Sequence, residues 1–217
     1  MTQRVTEIDL IRTVAIILMI IYHTAFDLWA FYDWNIDLWG EAWQTFRIIT
    51  ASLFLIVSGI ATNFSSKPFR RALIVLACAM LITIVTYVYD PSTFIYFGIL
   101  HCIGIGMLIL IPLKQLKEFN ILLGLTIVSF QIFNFSTFQI FTRPTLDFYP
   151  LLPWLGLMMI GSGLGHYLYI RNDLQLITPQ ASMPALQYFV FPGKYALLIY
   201  MVHQPIILGI LALLYSI

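Results

Sequence analysis

Charge is what this sequence has least of. Lys, Arg, Asp and Glu together make up 10% of its 217 residues, where a soluble domain carries roughly a quarter. That shortage excludes an ordinary water-soluble globule. The formal net charge of +1 leaves no basic excess to attract a phosphate backbone, so nucleic acid is not an expected partner. Cysteine is also scarce. Cys78 and Cys102 both lie in apolar runs and read as small core residues, silent about redox compartment. No cleavable signal peptide is expected, because Glu7, Asp9 and Arg12 follow Arg4 and the apolar run then continues into a full span. Polar sequence is confined to one extended segment, 171–191, which holds Pro179 and Pro184 and reads as a cytoplasmic loop. No soluble domain, long linker or internal repeat is evident. What fills the chain is apolar: 60% hydrophobic residues and a mean hydropathy of +0.90. The expected class is an integral, all-α, polytopic transmembrane helix bundle, with residues 1–217 as a single domain and the lipid bilayer as its surroundings.

Runs of about 20 apolar residues mark spanning helices. About seven are expected, over 8–30, 43–65, 70–89, 94–112, 118–137, 148–170 and 192–215. Lys67, Arg70 and Arg71 fall in the second connection, Lys114 and Lys117 in the fourth, and Arg4 before the first span. The first connection carries Asp33, Asp37 and Glu41, and the third only Asp90. Basic residues accumulate on the cytoplasmic side, so the amino terminus is expected inside and the carboxyl terminus outside. Trp29, Trp34, Trp39 and Trp43 then form an outer aromatic belt.

Against this apolar ground the first span carries Asp9, Arg12, His23 and Asp27. At about 100° per residue, His23 falls within about 20° of Arg12, and Asp9 and Asp27 within about 60°. At about 1.5 Å per residue, Arg12 and His23 lie about 16 Å apart along the axis. Ionisable groups in hydrocarbon are costly and read as functional unless paired. Asp27, one turn beyond His23, is placed to orient its imidazole, as a carboxylate does in a catalytic triad. His101 falls in the outer half of the fourth span and His203 near the middle of the seventh, beside Gln204 and Pro205. Three helices can therefore bring three histidines together near mid-membrane. No His-x-x-x-His spacing supports a metal, and none is expected. His166 ends the sixth span and reads as interfacial. The glycines of Gly161-Ser162-Gly163-Leu164-Gly165 lack the strand-turn-helix context of a nucleotide loop and read as close helix packing, as do Gly98, Gly104 and Gly106. Arg12, Arg70, Arg71 and Lys114 form a basic inner face able to hold an anionic ligand.

Several stretches, in order, resemble a known family. Arg12, ten residues, then His23 is similar to the helix signature of the membrane-bound acyltransferase family three. The rest resembles more closely the heparan-alpha-glucosaminide N-acetyltransferase catalytic-domain family in its short prokaryotic form. The matching pieces are Glu7 to Arg12, Leu18 to His23, Phe54 to Ile60, Phe97 to His101, Pro153 to Gly156 and Gly193 to Pro205. The resemblance implies an acyl-CoA donor (acetyl-CoA) entering from the cytoplasm of a prokaryotic cell. It implies an acceptor, a glycan or lipid-linked sugar, reached within the membrane or from the far side, and a histidine base in the core. Arg12 and His23 carry over from the helix motif, with Ser58 and Gly59 beside them. The heparan-type enzymes place a histidine after the first span, where this chain has Tyr32-Asp33-Trp34-Asn35, so either His23 does that work here, as in the family-three pattern, or the activity differs. The chain also has fewer spans than the larger relatives. Part of their acceptor site is then either absent or supplied by a second subunit in a homo-oligomer.

Acyl transfer to a hydroxyl or amine needs a base and donors for the oxyanion. His23 fits the base with Asp27 as its orienter, and Tyr200, His203, His101 and Ser58 are candidates for the acceptor and oxyanion. A proton-coupled transporter or sensor using the intramembrane His/Asp relay is the alternative. A less favoured one is an intramembrane serine hydrolase using Ser162 and His203, although Ile160 stands where its elbow requires glycine. A retinal protein is disfavoured because Lys194 lies at the inner end of the seventh span.

Overall fold

The computed structural model describes residues 5–133, 145–174 and 184–215. Among the described residues the secondary structure is helical, with no β-strand beyond an isolated bridge between Phe97 and Phe148. The helices are α1 (Thr6–Phe31), α2 (Glu41–Thr62), α3 (Pro68–Tyr89), α4 (Ile99–Leu113), α5 (Phe119–Phe133), α6 (Leu151–Gly165), α7 (Pro184–Lys194) and α8 (Ala196–Tyr215). A 3₁₀ turn, Lys114–Leu116, follows α4, and a π-helical turn, His166–Arg171, extends α6. The chain is an all-α polytopic membrane protein.

Local chemistry sets several boundaries. Glu7 and Asp9 sit in the first turn of α1, where negative charge complements the helix dipole. Pro68 opens α3, a position where its missing N–H costs nothing. After α3, the Asp90 carboxylate accepts from the Ser92 hydroxyl at 2.6 Å, the Ser92 backbone N–H at 2.8 Å and the Thr93 hydroxyl at 2.7 Å. These donors, the Ser92 hydroxyl first, hold its carboxyl below the usual aspartate value.

Among the described residues, six helices are long and apolar enough to cross a membrane: Thr6–Phe31, Glu41–Thr62, Pro68–Tyr89, Ile99–Leu116, Leu151–Arg171 and Ala196–Tyr215. They account for six of the seven expected spans. The remaining one, expected over 118–137, is the shorter apolar helix α5 of 15 residues, and positions 134–137 lie outside the described residues. The fourth span begins at Ile99, after turn and bridge geometry over 94–98, and not at residue 94. A second correction concerns 171–191. It is not a loop throughout, because α7 occupies Pro184–Lys194. Its Tyr188, Phe189, Val190 and Phe191 make an apolar stretch long enough for a helix of three turns but too short for a span.

The residues expected to form one domain, 1–217, cluster into two compact units. The first unit runs from Leu55 through α3, α4, α5 and α6. There α3 packs on α4, α5 on α6, and α4 on α6. The end of α2 lies so close to α6 that a Cβ on Gly161 would strike the Ile56 carbonyl and one on Gly59 the Met158 carbonyl. Small residues in these two helices therefore serve close approach, as their composition implies. The second unit comprises α1, the first part of α2, α7 and α8. In it α7 lies along the start of α1. The Gly193 N–H donates to Thr13 Oγ1 at 2.9 Å, and the Thr13 hydroxyl donates to the Phe189 carbonyl at 2.7 Å. A Cβ on Gly193 would overlap the Asp9 carbonyl, so only glycine fits that crossing.

Candidate functional site

In the second unit α1 and α8 bring four polar side chains together. His23 of α1 and His203 of α8 lie with ring centroids 4.7 Å apart and planes at 81°. His23 Nδ1 is 2.9 Å from the Met19 carbonyl. His203 Nδ1 is 2.7 Å from the Tyr200 carbonyl. A carbonyl can only accept, so each Nδ1 carries the proton and each Nε2 a lone pair when the ring is neutral. Asp27, fully buried, accepts at Oδ1 from the Gln204 amide at 2.7 Å. Asp27 Oδ2, Gln204 Oε1 and His203 Nε2 are buried without a hydrogen-bond partner among the described residues.

These contacts revise two expected roles. Asp27 does not hold the His23 imidazole, because the Met19 carbonyl fixes the His23 tautomer and Asp27 is bound to Gln204. His203 in this tautomer offers an acceptor at Nε2, so the neutral ring is no oxyanion donor. Tyr200 sits beside it, with ring centroids 5.4 Å apart, and also against Phe54 at 6.4 Å. Gln204 is the residue that the spacing argument on α1 passed over. Its signal was its place between His203 and Pro205 in an otherwise apolar helix. Pro205 removes the N–H that would bond the Met201 carbonyl, so this turn of α8 is rich in acceptors.

His101 belongs to the first unit and does a different job. Its Nδ1 accepts the Gly98 backbone N–H at 3.2 Å, which caps the start of α4. Its Nε2 lies 3.3 Å from Thr83 Oγ1, whose hydroxyl proton goes to the Ile95 carbonyl at 2.6 Å. His101 therefore donates from Nε2 to Thr83, and both ring nitrogens are engaged. Phe97 stacks on the ring at 5.6 Å, and Asp147 Oδ2 accepts the next free N–H of α4, that of Ile99, at 3.0 Å. His101 is thus a helix cap, which corrects its expected place among the oxyanion candidates. The three histidines resolve into a pair on α1 and α8 and a cap on α4.

The cations that the sequence places on an inner face are held differently from one another. Arg12, half-buried, pairs with the buried carboxylate of Asp9 at 2.7 Å. Arg70 and Arg71 are exposed on the first turn of α3. Lys114 Nζ donates to the Asn63 carbonyl at 3.1 Å, beside a cavity of about 30 Å³ shared with Thr62, Ser65, Pro68 and Met107. Ser65 Oγ, from a residue lining that cavity, and Asn63 Oδ1 are buried without a hydrogen-bond partner among the described residues. Ser58 is half-buried on α2, next to Gly59. Ser162 is buried, and its carbonyl accepts the Asn63 amide at 2.9 Å. Lys194 is exposed at the end of α7. His166 Nδ1 lies 3.2 Å from Glu118 Oε1, and Arg171 lies 3.5 Å from the same oxygen. Among the described residues, no group of three His, Cys, Asp or Glu side chains is arranged to hold a metal.

No curated protein and no solved structure matches this chain. The family model described as heparan-alpha-glucosaminide N-acetyltransferase, catalytic, does match, over residues 4–205. That range takes in α1 with His23 and Asp27 and reaches Pro205 on α8, just past the His203-Gln204 pair. With its six spanning helices and nearly its whole length inside the match, the chain belongs to the heparan-alpha-glucosaminide N-acetyltransferase catalytic family of transmembrane acetyltransferases.

Proposed function

We propose that this protein moves an acetyl group from cytoplasmic acetyl-CoA to a glycan, lipid-linked sugar or other cell-envelope acceptor, with His23 as the membrane-embedded base. The observation that carries the reading is the His23 tautomer. With Nδ1–H held by the Met19 carbonyl, Nε2 is the basic atom, and it needs no reorientation to take a proton. In the transfer, Nε2 removes a proton from the acceptor amine or hydroxyl, whose lone pair attacks the thioester carbonyl carbon. A tetrahedral oxyanion forms, the C–S bond breaks, and the departing CoA thiolate takes the proton from His23. Tyr200 is a candidate donor to the oxyanion and Ser58 a candidate acceptor contact. His101 has no part, because both its nitrogens are engaged.

Of the basic residues that the sequence assigns to the phosphates of the donor, Arg12 shares α1 with His23, whereas Arg70 and Arg71 lie on α3 and Lys114 just past α4. Arg12 and His23 stand about 16 Å apart along α1 by helix rise, a separation that an extended pantetheine arm spans. Ser65 Oγ beside Lys114 supports an anion at that end of α2 and α4. The positive-inside rule puts these cations and the amino terminus in the cytoplasm and the carboxyl terminus outside a prokaryotic membrane. One functional domain over 1–217 suffices for this reading, and a homo-oligomer would complete an acceptor site that one copy lacks. A proton-coupled transporter or sensor is the second reading, favoured by the buried carboxylate of Asp27 beside two histidines.

The test is acetyl transfer from acetyl-CoA to glucosamine by purified protein, with thermal unfolding as the folding control. His23→Ala should lower transfer at least about a hundredfold, the lower range for loss of a general base, and leave CoA affinity within about twofold. Lys114→Ala should weaken CoA binding by about 1.5–3 kcal/mol, the scale of a charged hydrogen bond. A folded His23→Ala protein with full transfer would refute the mechanism. Proton flux without any transfer would favour the transporter.

A further inference from the structure

Helix α7 is too short to cross a membrane, yet its exposed surface is aromatic. Tyr188 is 80% exposed, Phe189 62% and Phe191 58%. At about 100° per residue these three fall within an arc of about 160°. Val190 and Gly193, both buried, lie on the opposite side, and Gly193 packs against the Asp9 carbonyl of α1. Gln187 and Lys194, both exposed, share a third and narrow edge, about 20° wide. The helix is thus three-sided, with one side docked, one aromatic and one polar. A contiguous apolar face of this kind is built to meet a partner other than water.

The level of that face is set by α1. The Thr13 hydroxyl donates to the Phe189 carbonyl at 2.7 Å, and the Gly193 N–H donates to Thr13 Oγ1 at 2.9 Å. With Gly193 against Asp9, α7 crosses α1 at residues 9–13. From Asp9 to Phe31, where α1 ends, the helix rises about 33 Å, close to the ~30 Å of hydrocarbon in a bilayer. The crossing therefore marks one boundary of the bilayer. Two further observations agree. The Arg12–Asp9 ion pair, 2.7 Å long, stands at this level, where charge is cheapest to hold. The exposed apolar side chains of α1 lie directly beyond it, with Val14 and Ile17 each 49% exposed.

We propose that α7 is an interfacial helix whose aromatic face binds the phospholipid surface at this end of α1. Tyr188, Phe189 and Phe191 enter the boundary between headgroups and acyl chains, and Gln187 and Lys194 stay with the headgroups and water. A phospholipid fits better than a second copy of the chain. The Tyr188 hydroxyl would need a partner in a dry helix contact but finds water and phosphate at the boundary. Lys194 supplies positive charge where those phosphates lie. Tyr195 follows α7, packs on Phe191 with ring centroids 4.9 Å apart, and leads directly into α8. An α7 held at the boundary thereby fixes the level at which α8 enters the membrane. The proposal is independent of the acetyl-transfer reading.

The experiment replaces Gln187, Tyr188, Phe191 or Lys194, one at a time, with the photoreactive p-benzoylphenylalanine in the full chain. Each variant is reconstituted in vesicles of phosphatidylethanolamine and phosphatidylglycerol, irradiated and weighed intact by mass spectrometry. Positions 188 and 191 should gain the mass of one phospholipid at least about fivefold more often than positions 187 and 194, because only the first two face the acyl boundary. Three outcomes would overturn the proposal: no lipid adduct at 188 and 191, equal adducts at all four positions, or a doubled protein mass showing a second copy on this face. Where a photoreactive variant fails to fold, Phe191→Trp gives the same reading. Phospholipid brominated on its acyl chains near the headgroup should quench the fluorescence added by that substitution, and an unquenched signal would refute the interfacial placement. Neither readout involves acetyl transfer, so the failure of one reading leaves the other standing.

Discussion

His101 and His203 are both buried histidines on apolar helices, and their surroundings could hardly differ more. His101 has an acceptor use for Nδ1, a donor use for Nε2 and an aromatic ring stacked on its face. His203 has one nitrogen tied to its own helix and the other facing no partner among the described residues. A buried polar atom in a folded protein is nearly always satisfied. The satisfied ring is accounted for by the helix that it caps. The unsatisfied one has no partner among the described residues, and a donor from a bound ligand would give it one. Position in a span therefore says less about a histidine than the count of its filled hydrogen bonds.

The strongest way to break this contrast is a phenylalanine in each position. His101→Phe should destabilise the protein by about 2–3 kcal/mol, since it orphans the Gly98 N–H and removes the donor to Thr83. Transfer per folded molecule should stay at the wild-type level. His203→Phe should do the reverse. It removes an orphaned acceptor and keeps the ring contact with His23, so stability should hold or rise, while transfer falls at least about tenfold, or about 1.4 kcal/mol of barrier. Chemical denaturation and an acetyl-transfer assay on both variants check the pair. A His203→Phe protein that loses stability and keeps its activity would collapse the distinction.

A finer cut is Thr83→Val, which keeps shape and deletes the hydroxyl between His101 and the Ile95 carbonyl. Stability should drop by about 1–2 kcal/mol. If the melting point does not move, the capping role of His101 is overstated.

The smallest effect concerns Glu118, whose Oε1 lies 3.2 Å from Nδ1 of a third histidine, His166. Glu118 accepts a hydrogen bond from its own backbone N–H and lies against His166 and Arg171. Its carboxyl is held below the ordinary glutamate value of 4.5, first by that backbone bond. A depressed carboxylate stabilises the fold above its unfolded value, and that contribution disappears as pH falls through the folded value. Because the Glu118 side chain is partly exposed to solvent, the gain is slight. Glu118→Gln should therefore melt slightly earlier than wild type at pH 7, and the gap should close as pH falls below the ordinary value of 4.5. A gap that widens in acid would contradict the sign.

Much of the architecture was legible in the residues because the bilayer sets its length scale directly. A helix that crosses hydrocarbon must be apolar for about 20 residues, and six runs meet that rule. The polar face of α1 was equally readable, since Asp9, Arg12, His23 and Asp27 keep their angular relation in any α-helix. The helix α7 was hidden because a short, proline-flanked segment outside a span carries no such length signal. It holds its place through Thr13 and Gly193, a contact made between residues 180 positions apart.

What the sequence alone determined is thus the solvent and the period: a membrane protein, its spanning helices, its family resemblance and the shared face of His23 with Arg12. The tertiary structure decided who partners whom. Asp27 and His23 lie one turn apart on α1, which suggests a dyad, yet Gln204 on α8 claims the carboxylate and the Met19 carbonyl claims the imidazole. The reason is physical. Spacing along one helix constrains only which side chains share a face, whereas each hydrogen bond goes to the partner with the right distance and polarity. In a bundle that partner often comes from another helix or from the backbone one turn away.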